Sequence, residues 1–206
     1  MRHHVIRLAA VAAACLSLPT LVSAGDFTVQ SGISTLGFTV EPAYRISGHW
    51  GARMPIATGN RYFDASIGDR NLSGTLMSDA VGVLADYHPF AGGLRISGGL
   101  IHTHYRATAL SETVTYNDRS SQVFANIDQS EKLSPMLALG YDAMIGPAAI
   151  SAAMGGIFTN AFRVTGGQTG SLIEPADVEA ELNNIRTEVN AITPIPYVSL
   201  GVSFAF

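Results

Sequence analysis

The chain has 206 residues, with 12 Lys plus Arg against 16 Asp plus Glu, 21 glycines, 14% charged side chains and a mean hydropathy of +0.24. An acidic balance with a single lysine, Lys132, excludes a nucleic-acid surface built on basic patches. So few charges and so much glycine are foreign to an ordinary soluble domain but natural for a β-barrel whose outside is solvated by lipid.

The first segment reads as a cleaved signal peptide, residues 1–24. Arg2 and Arg7 flank a short basic start, an apolar run follows from Leu8 to Leu21, and Val22-Ser23-Ala24 supplies small residues at a cleavage point before Gly25. The run is too short to span a bilayer. It contains the only cysteine, Cys15, and residues 12–14 before it are all alanine, which lacks the leucine of a lipid-attachment motif. The expected mature chain, 25–206, therefore has no thiol for disulfides, metal ligation or nucleophilic chemistry. It is read as one outer-membrane β-barrel domain.

Eight stretches have the length and alternation of membrane-crossing strands: 26–34, 37–46, 49–64, 72–88, 94–110, 132–145, 148–164 and 194–206. They predict an all-β fold, an eight-stranded antiparallel up-and-down transmembrane barrel. Ser47-Gly48, Pro89 to Gly93 and Gly146-Pro147 are short separators, whereas 65–71, 111–131 and 165–193 are long and polar. Short turns face the periplasm and long loops the outside in such barrels. The first outer connection breaks this rhythm, because eight strands require a tight hairpin at Thr35-Leu36-Gly37. Ala143 to Phe162 has no charge and could in principle form a membrane helix, but Pro147, Gly155 and Gly156 favour two strands.

The last strand, YVSLGVSFAF, alternates Val198, Leu200, Val202, Phe204 and Phe206 with Ser199, Gly201, Ser203 and Ala205. One face suits lipid and the other a lumen. Tyr44, Trp50, Tyr87, Tyr141, Phe204 and Phe206 fall near the short turns and predict one aromatic girdle. Tyr197, with Tyr62, Phe63, Tyr105, Phe158 and Phe162, is expected to form a second at the opposite strand ends.

The same parity sends six charges into the lumen: Glu41, Arg45, Arg53, Asp86, Arg95 and Asp142. An arginine facing lipid at mid-depth costs about 2–4 kcal/mol, which drives this placement. Eight strands enclose only enough space for their own side chains, so these groups predict a polar plug of opposite charges. A narrow pore for small solutes, with the arginines setting selectivity, is the alternative.

His102 and His104 lie two apart on one strand, without a third metal ligand in view. Either could be paired with Ser111 in a lipid A-modifying hydrolase, a less favoured alternative, but no motif joins a base, a nucleophile and an orienting acid. No catalytic residue, metal or cofactor is assigned, and an enzyme is not expected. In the last outer loop, Pro175 to Ile192 places Val178, Leu182, Ile185 and Val189 on one stripe of an amphipathic helix, which either covers the barrel mouth or docks a protein partner.

Three segments carry a resemblance: Ser34-Thr35-Leu36-Gly37, the run Leu84-Ala85-Asp86-Tyr87-His88-Pro89-Phe90, and the acidic helix leading into Pro196 to Phe204. Through them the chain resembles the small Gram-negative outer-membrane barrels of the protein A, X and W type, and more closely an uncharacterised family of such barrels. The resemblance implies residence in the cell outer membrane and a structural or surface-interaction role. It also implies contact with outer-membrane lipid and lipopolysaccharide, assembly through the C-terminal strand by the barrel-assembly machinery, and a possible protein partner at the outer loops.

Overall fold

A computed structural model describes residues 27–67, 70–111, 114–116, 119–146, 148–159, 162–170, 175–191 and 194–206. The signal-peptide reading of 1–24, Cys15 included, lies outside the described residues. The chain runs through β1 (Phe27–Ser34), β2 (Gly37–Arg45), β3 (Trp50–Arg53), β4 (Ile56–Ile67), β5 (Arg70–Tyr87), β6 (Leu94–Ser111) and β7 (Val114–Tyr116). It continues through β8 (Arg119–Gln129), β9 (Leu133–Ile145), β10 (Ala148–Ile157), β11 (Phe162–Thr169), a helix α1 (Pro175–Ala191) and β12 (Ile195–Ala205).

Every main pairing is antiparallel, and β1 pairs with both β2 and β12, which closes the sheet into a barrel. Eight staves result from the twelve strands, because β7 prolongs β6 beside β8 and three further staves are written as two segments each. β3 and β4 are one stave in constant register with β5, from Arg53↔Leu84 to Ile56↔Val81. The ladder is interrupted only where Pro55 has no N–H to donate. Its carbonyl still accepts from the Gly82 N–H at 2.9 Å. β8 and β9 form a second composite stave against β6, but their register slips by one residue between Arg106↔Asp128 and His102↔Leu133. This bulge turns odd-numbered residues inward above it and even-numbered ones inward below it. β10 and β11 make the third.

The tight first hairpin is present. Thr35 and Leu36 make the turn, Ser34 pairs with Gly37, and Gly37 has φ of +111°, a conformation open to glycine at little cost. A Cβ there would lie 2.2 Å from the Thr58 carbonyl oxygen, so the position is closed on steric grounds too.

The long polar loops expected at 65–71 and 111–131 are corrected. β4 and β5 pair as far as Ile67↔Arg70, and 111–131 is mostly β7 and β8, with β8 paired to β6 and β11. These staves rise well past the apolar belt as a tall wall. Polar side chains do not end a strand once both of its neighbours continue the ladder, because backbone pairing is indifferent to which solvent the side chains meet. The third stretch, 165–193, begins as strand to Thr169 and then becomes α1. Residues 68–69 and 171–174 lie outside the described residues, as does Pro147 of the third short turn.

Outside, the barrel carries a belt of exposed large apolar side chains. On β9 Leu133, Leu137, Leu139 and Tyr141 all point outward. Eight steps of about 3.3 Å at a tilt near 40° give a rise of about 20 Å, close to the apolar height of such barrels. A belt of this extent is far larger than the apolar patches of soluble monomers. No helix among the described residues is long and apolar enough to cross a membrane.

Helix α1 packs its stripe back on the molecule. Ile185, with Leu182 and Val189, sits against Ala125, Ile127 and Val164. These wall residues share the inward face with Gln129 and Phe162, so α1 lies on the lumen side of the tall wall. The Arg186 Nη2 donates to the Val164 carbonyl at 3.3 Å, and the Phe162 N–H donates to Asn190 Oδ1 at 3.1 Å. Gly166 leaves room for Leu182, which a Cβ would meet at 2.8 Å.

Candidate functional site

The lumen is filled in two layers. At the short-turn end, strand parity brings Glu41 of β2, Arg53 of β3 and Asp86 of β5 together. Arg53 donates from Nε and Nη2 to Asp86 Oδ2, at 3.0 and 2.6 Å, and from Nη1 to Glu41 Oε2 at 3.1 Å. The remaining lone pairs are used: Ser97 Oγ donates to Asp86 Oδ1 at 2.6 Å, and the Tyr197 phenol donates to Glu41 Oε1 at 3.1 Å. All three charged groups are buried.

A second cluster lies across the lumen. Arg95 of β6 pairs through Nη1 with Asp142 Oδ1 and donates from Nη2 to Ser151 Oγ at 3.1 Å, while Ser151 donates to Asp142 at 2.5 Å. Arg95 is 1% exposed. Its guanidinium lies flat over Gly140, where a Cβ would stand 2.7 Å from Arg95 Nε. Arg45 stands apart from both clusters. It donates to the Gly48 carbonyl at 3.3 Å in the first short turn, and no carboxylate pairs with it among the described residues.

Above this floor is an apolar layer that the sequence reading missed. Leu36, Leu84, Ile101, Tyr105, Met136, Ile157 and Tyr197 pack with small alanines into one buried cluster inside the barrel. The signal was available, since Leu84 shares parity with Asp86 and Ile101 shares parity with Arg95. Leu36 comes from the tight turn itself, folded into the lumen and held where Ser78 Oγ donates to its carbonyl at 2.8 Å. Higher still, Gln129 bonds Thr103, Thr159 and the Glu131 carbonyl.

The aromatic expectations divide. Tyr44, Trp50, Tyr87, Tyr141, Phe204 and Phe206 are all exposed on the outer wall, with Trp50 and Tyr87 rings 5.0 Å apart at paired positions of β3 and β5. Tyr197 is corrected: at 3% exposure it points into the lumen, on the Ser199 and Gly201 side of β12. The proposed second band does not form as drawn. Tyr105 is also inward and packs 6.4 Å from Phe162, whereas Tyr62 and Phe158 do face out. Position near a strand end suggested a girdle, but parity and a buried carboxylate needing a donor place Tyr197 inside.

His102 and His104 face outward, and His104 stands opposite Asp79, which accepts from Thr58 Oγ1 at 2.8 Å. Ser111 is seven steps along the same strand from His104, about 23 Å at strand rise, so the hydrolase pair does not form. The Ser111 side chain itself is outside the described residues. Among the described residues no group of three His, Cys, Asp or Glu side chains converges as a metal site. The helix expected over 175–192 is Pro175–Ala191, and its apolar stripe is spent on the wall.

The sequence matches no protein-family model and no curated protein. Solved structures share the fold. The crystal structure of Acinetobacter baumannii CarO superposes with a TM-score of 0.67 at 14% identity, over 92% of this chain and 100% of that one. That of Acinetobacter baumannii CarO2 superposes at 0.69 and 11%, over 90% and 100%. A major outer membrane protein from Thermus thermophilus also matches, with a TM-score of 0.42 at 13% identity over 89% and 100%. The two Acinetobacter superpositions, at these identities, establish architecture: the chain has the fold of a small transmembrane β-barrel.

Proposed function

We propose that the protein is an integral outer-membrane barrel with a closed lumen and a structural or surface-interaction role, without catalytic activity. The observation that carries this reading is the two-layer filling: a hydrogen-bonded ionic floor beneath an apolar layer that includes Leu36, Ile101, Met136 and Tyr197. Water and ions crossing the barrel would have to separate buried charge pairs and then pass a dry layer, each at high cost. The aromatic girdle and apolar belt support residence in lipid, with the short turns toward the periplasm and the tall wall with α1 outside. Lipid and lipopolysaccharide along the outer wall are its partners on this reading, and the wall above the bilayer is the surface left for a protein. Heat-modifiable gel migration of protein from an outer-membrane fraction tests residence. Planar-bilayer recording tests the lumen: a flat baseline is expected, and discrete steps of reproducible size would replace the closed plug with a narrow pore.

A further inference from the structure

The tight hairpin leaves a notch in the barrel wall. β1 and β2 stop at Thr35 and Leu36, whereas β12 on one side begins at Ile195 and β4 on the other climbs to Ile67. Above the turn two staves are missing, so β12 and β4 stand about three strand spacings, or about 14 Å, apart. The space over the turn is a cavity of about 660 Å³, open to the side. That volume is within the usual range of small-ligand sites, about 300–1,000 Å³.

Its lining is asymmetric. On the outer face Ile33, Phe38, Val198 and Leu200 are apolar and exposed, with Thr58 and Asn60 of β4 at the edge; on the inner face stands Arg61. Val198 precedes Phe206 by eight residues, which puts the notch about 20 Å above the short-turn girdle, at the far edge of the apolar belt. Arg61 reaches from β4 across the opening and donates through Nη2 to the Ser34 carbonyl. Among the described residues no carboxylate pairs with it. Ser199 Oγ is buried beside the Tyr197 side chain and belongs to the lumen filling, so Arg61 is the polar group that the notch presents. A cation without a carboxylate partner among the described residues, at the head of an apolar slot and at the level where hydrocarbon meets headgroups, is complementary to one ligand chemistry.

We propose that the notch binds one alkyl chain of an anionic amphiphile from the outer leaflet, with the chain on Phe38, Val198 and Leu200 and the carboxylate or phosphate held by Arg61. The inference rests on the lipid-facing outer wall proposed above. A single-chain fatty acid and an acyl chain of lipopolysaccharide share this chemistry.

The test uses the full barrel in neutral lipid vesicles and a dodecanoate carrying a diazirine near its chain end. Cross-links are expected to concentrate on the peptides holding Phe38 and Val198. Labelling spread evenly over the belt, including Val83 and Leu139 on remote staves, would overturn the site. Arg61→Gln should weaken dodecanoate binding about tenfold, as loss of a charge-assisted bond does, and leave dodecanol unchanged; equal behaviour of acid and alcohol would overturn the anionic head. Val198→Trp, which fills the slot from outside, should abolish site-specific labelling. Competition by lipopolysaccharide assigns the chain to the leaflet's own lipid, and competition by unlabelled dodecanoate alone assigns it to a free acid. Heat-modifiable migration of each variant keeps loss of the barrel distinct from loss of the site.

Discussion

The two layers inside the barrel are held by different physics. In the floor, Arg53 serves two carboxylates at once, and Arg95, Asp142 and Ser151 close a triangle of directional bonds. In the apolar layer, Ile101, Met136 and Ile157 have no directional requirement and are held by filling volume. The floor is therefore brittle, since removing one partner strands a buried charge, whereas the layer above fails in proportion to the space emptied.

Arg53→Met is the sharpest way to break that contrast. It leaves Glu41 and Asp86 buried without their cation and should cost about 3–5 kcal/mol in urea unfolding from vesicles followed by Trp50 fluorescence. Adding Glu41→Gln and Asp86→Asn should recover most of that loss; if the triple variant is no better than the single, stranded charge is not the cause. In the upper layer, Met136→Ala should cost about 2–5 kcal/mol, and Met136→Leu, which keeps the volume, less than about 1.5 kcal/mol. A floor-like response to Met136→Leu would erase the distinction. Tyr197 joins the layers, packed in the upper one while donating to Glu41 in the lower. Tyr197→Phe keeps the packing and removes the donor, so a loss of about 1–3 kcal/mol isolates the polar share.

The smallest effect concerns the mouth of the floor, where His88 sits beyond the end of β5 with Nδ1 3.1 Å from the Gly92 carbonyl. Burial, and then the nearby Arg45 guanidinium, lowers its proton affinity from the ordinary 6.5, against opposing pulls from the Gly92 carbonyl, Asp86 and Asp142. The folded chain thus binds this proton more weakly than the unfolded one. Its contribution to stability is complete above pH 6.5 and declines as the pH falls from there through the folded value. Unfolding of His88→Gln compared with the parent between pH 5 and pH 8 should differ in slope only in the acid half of that range; parallel curves throughout would remove the histidine from the account.

Strand parity made much of this legible. Alternation alone sends Glu41, Arg53, Asp86, Arg95 and Asp142 inward, because a side chain's face on a strand follows from its position in a period of two. For Tyr197 and Tyr105 nearness to a strand end points to a girdle, but the same parity rule puts both in the lumen. The height of the wall was hidden for another reason. Residues 111–131 are polar and look like a loop, yet they form strand because β6 and β11 stand on either side to accept the ladder.

By itself the sequence determined the barrel, its eight staves, the outward-facing and lumen-facing sides and the tight turn at Thr35-Leu36, since each depends on local alternation and turn chemistry. Which acid meets which arginine was decided by the tertiary structure, as were the folding of Leu36 into the lumen, the seating of α1 inside the wall and the notch above the first hairpin. Those features depend on register and shear between staves distant in sequence, and one slipped residue, as between β8 and β9, changes which face a side chain occupies.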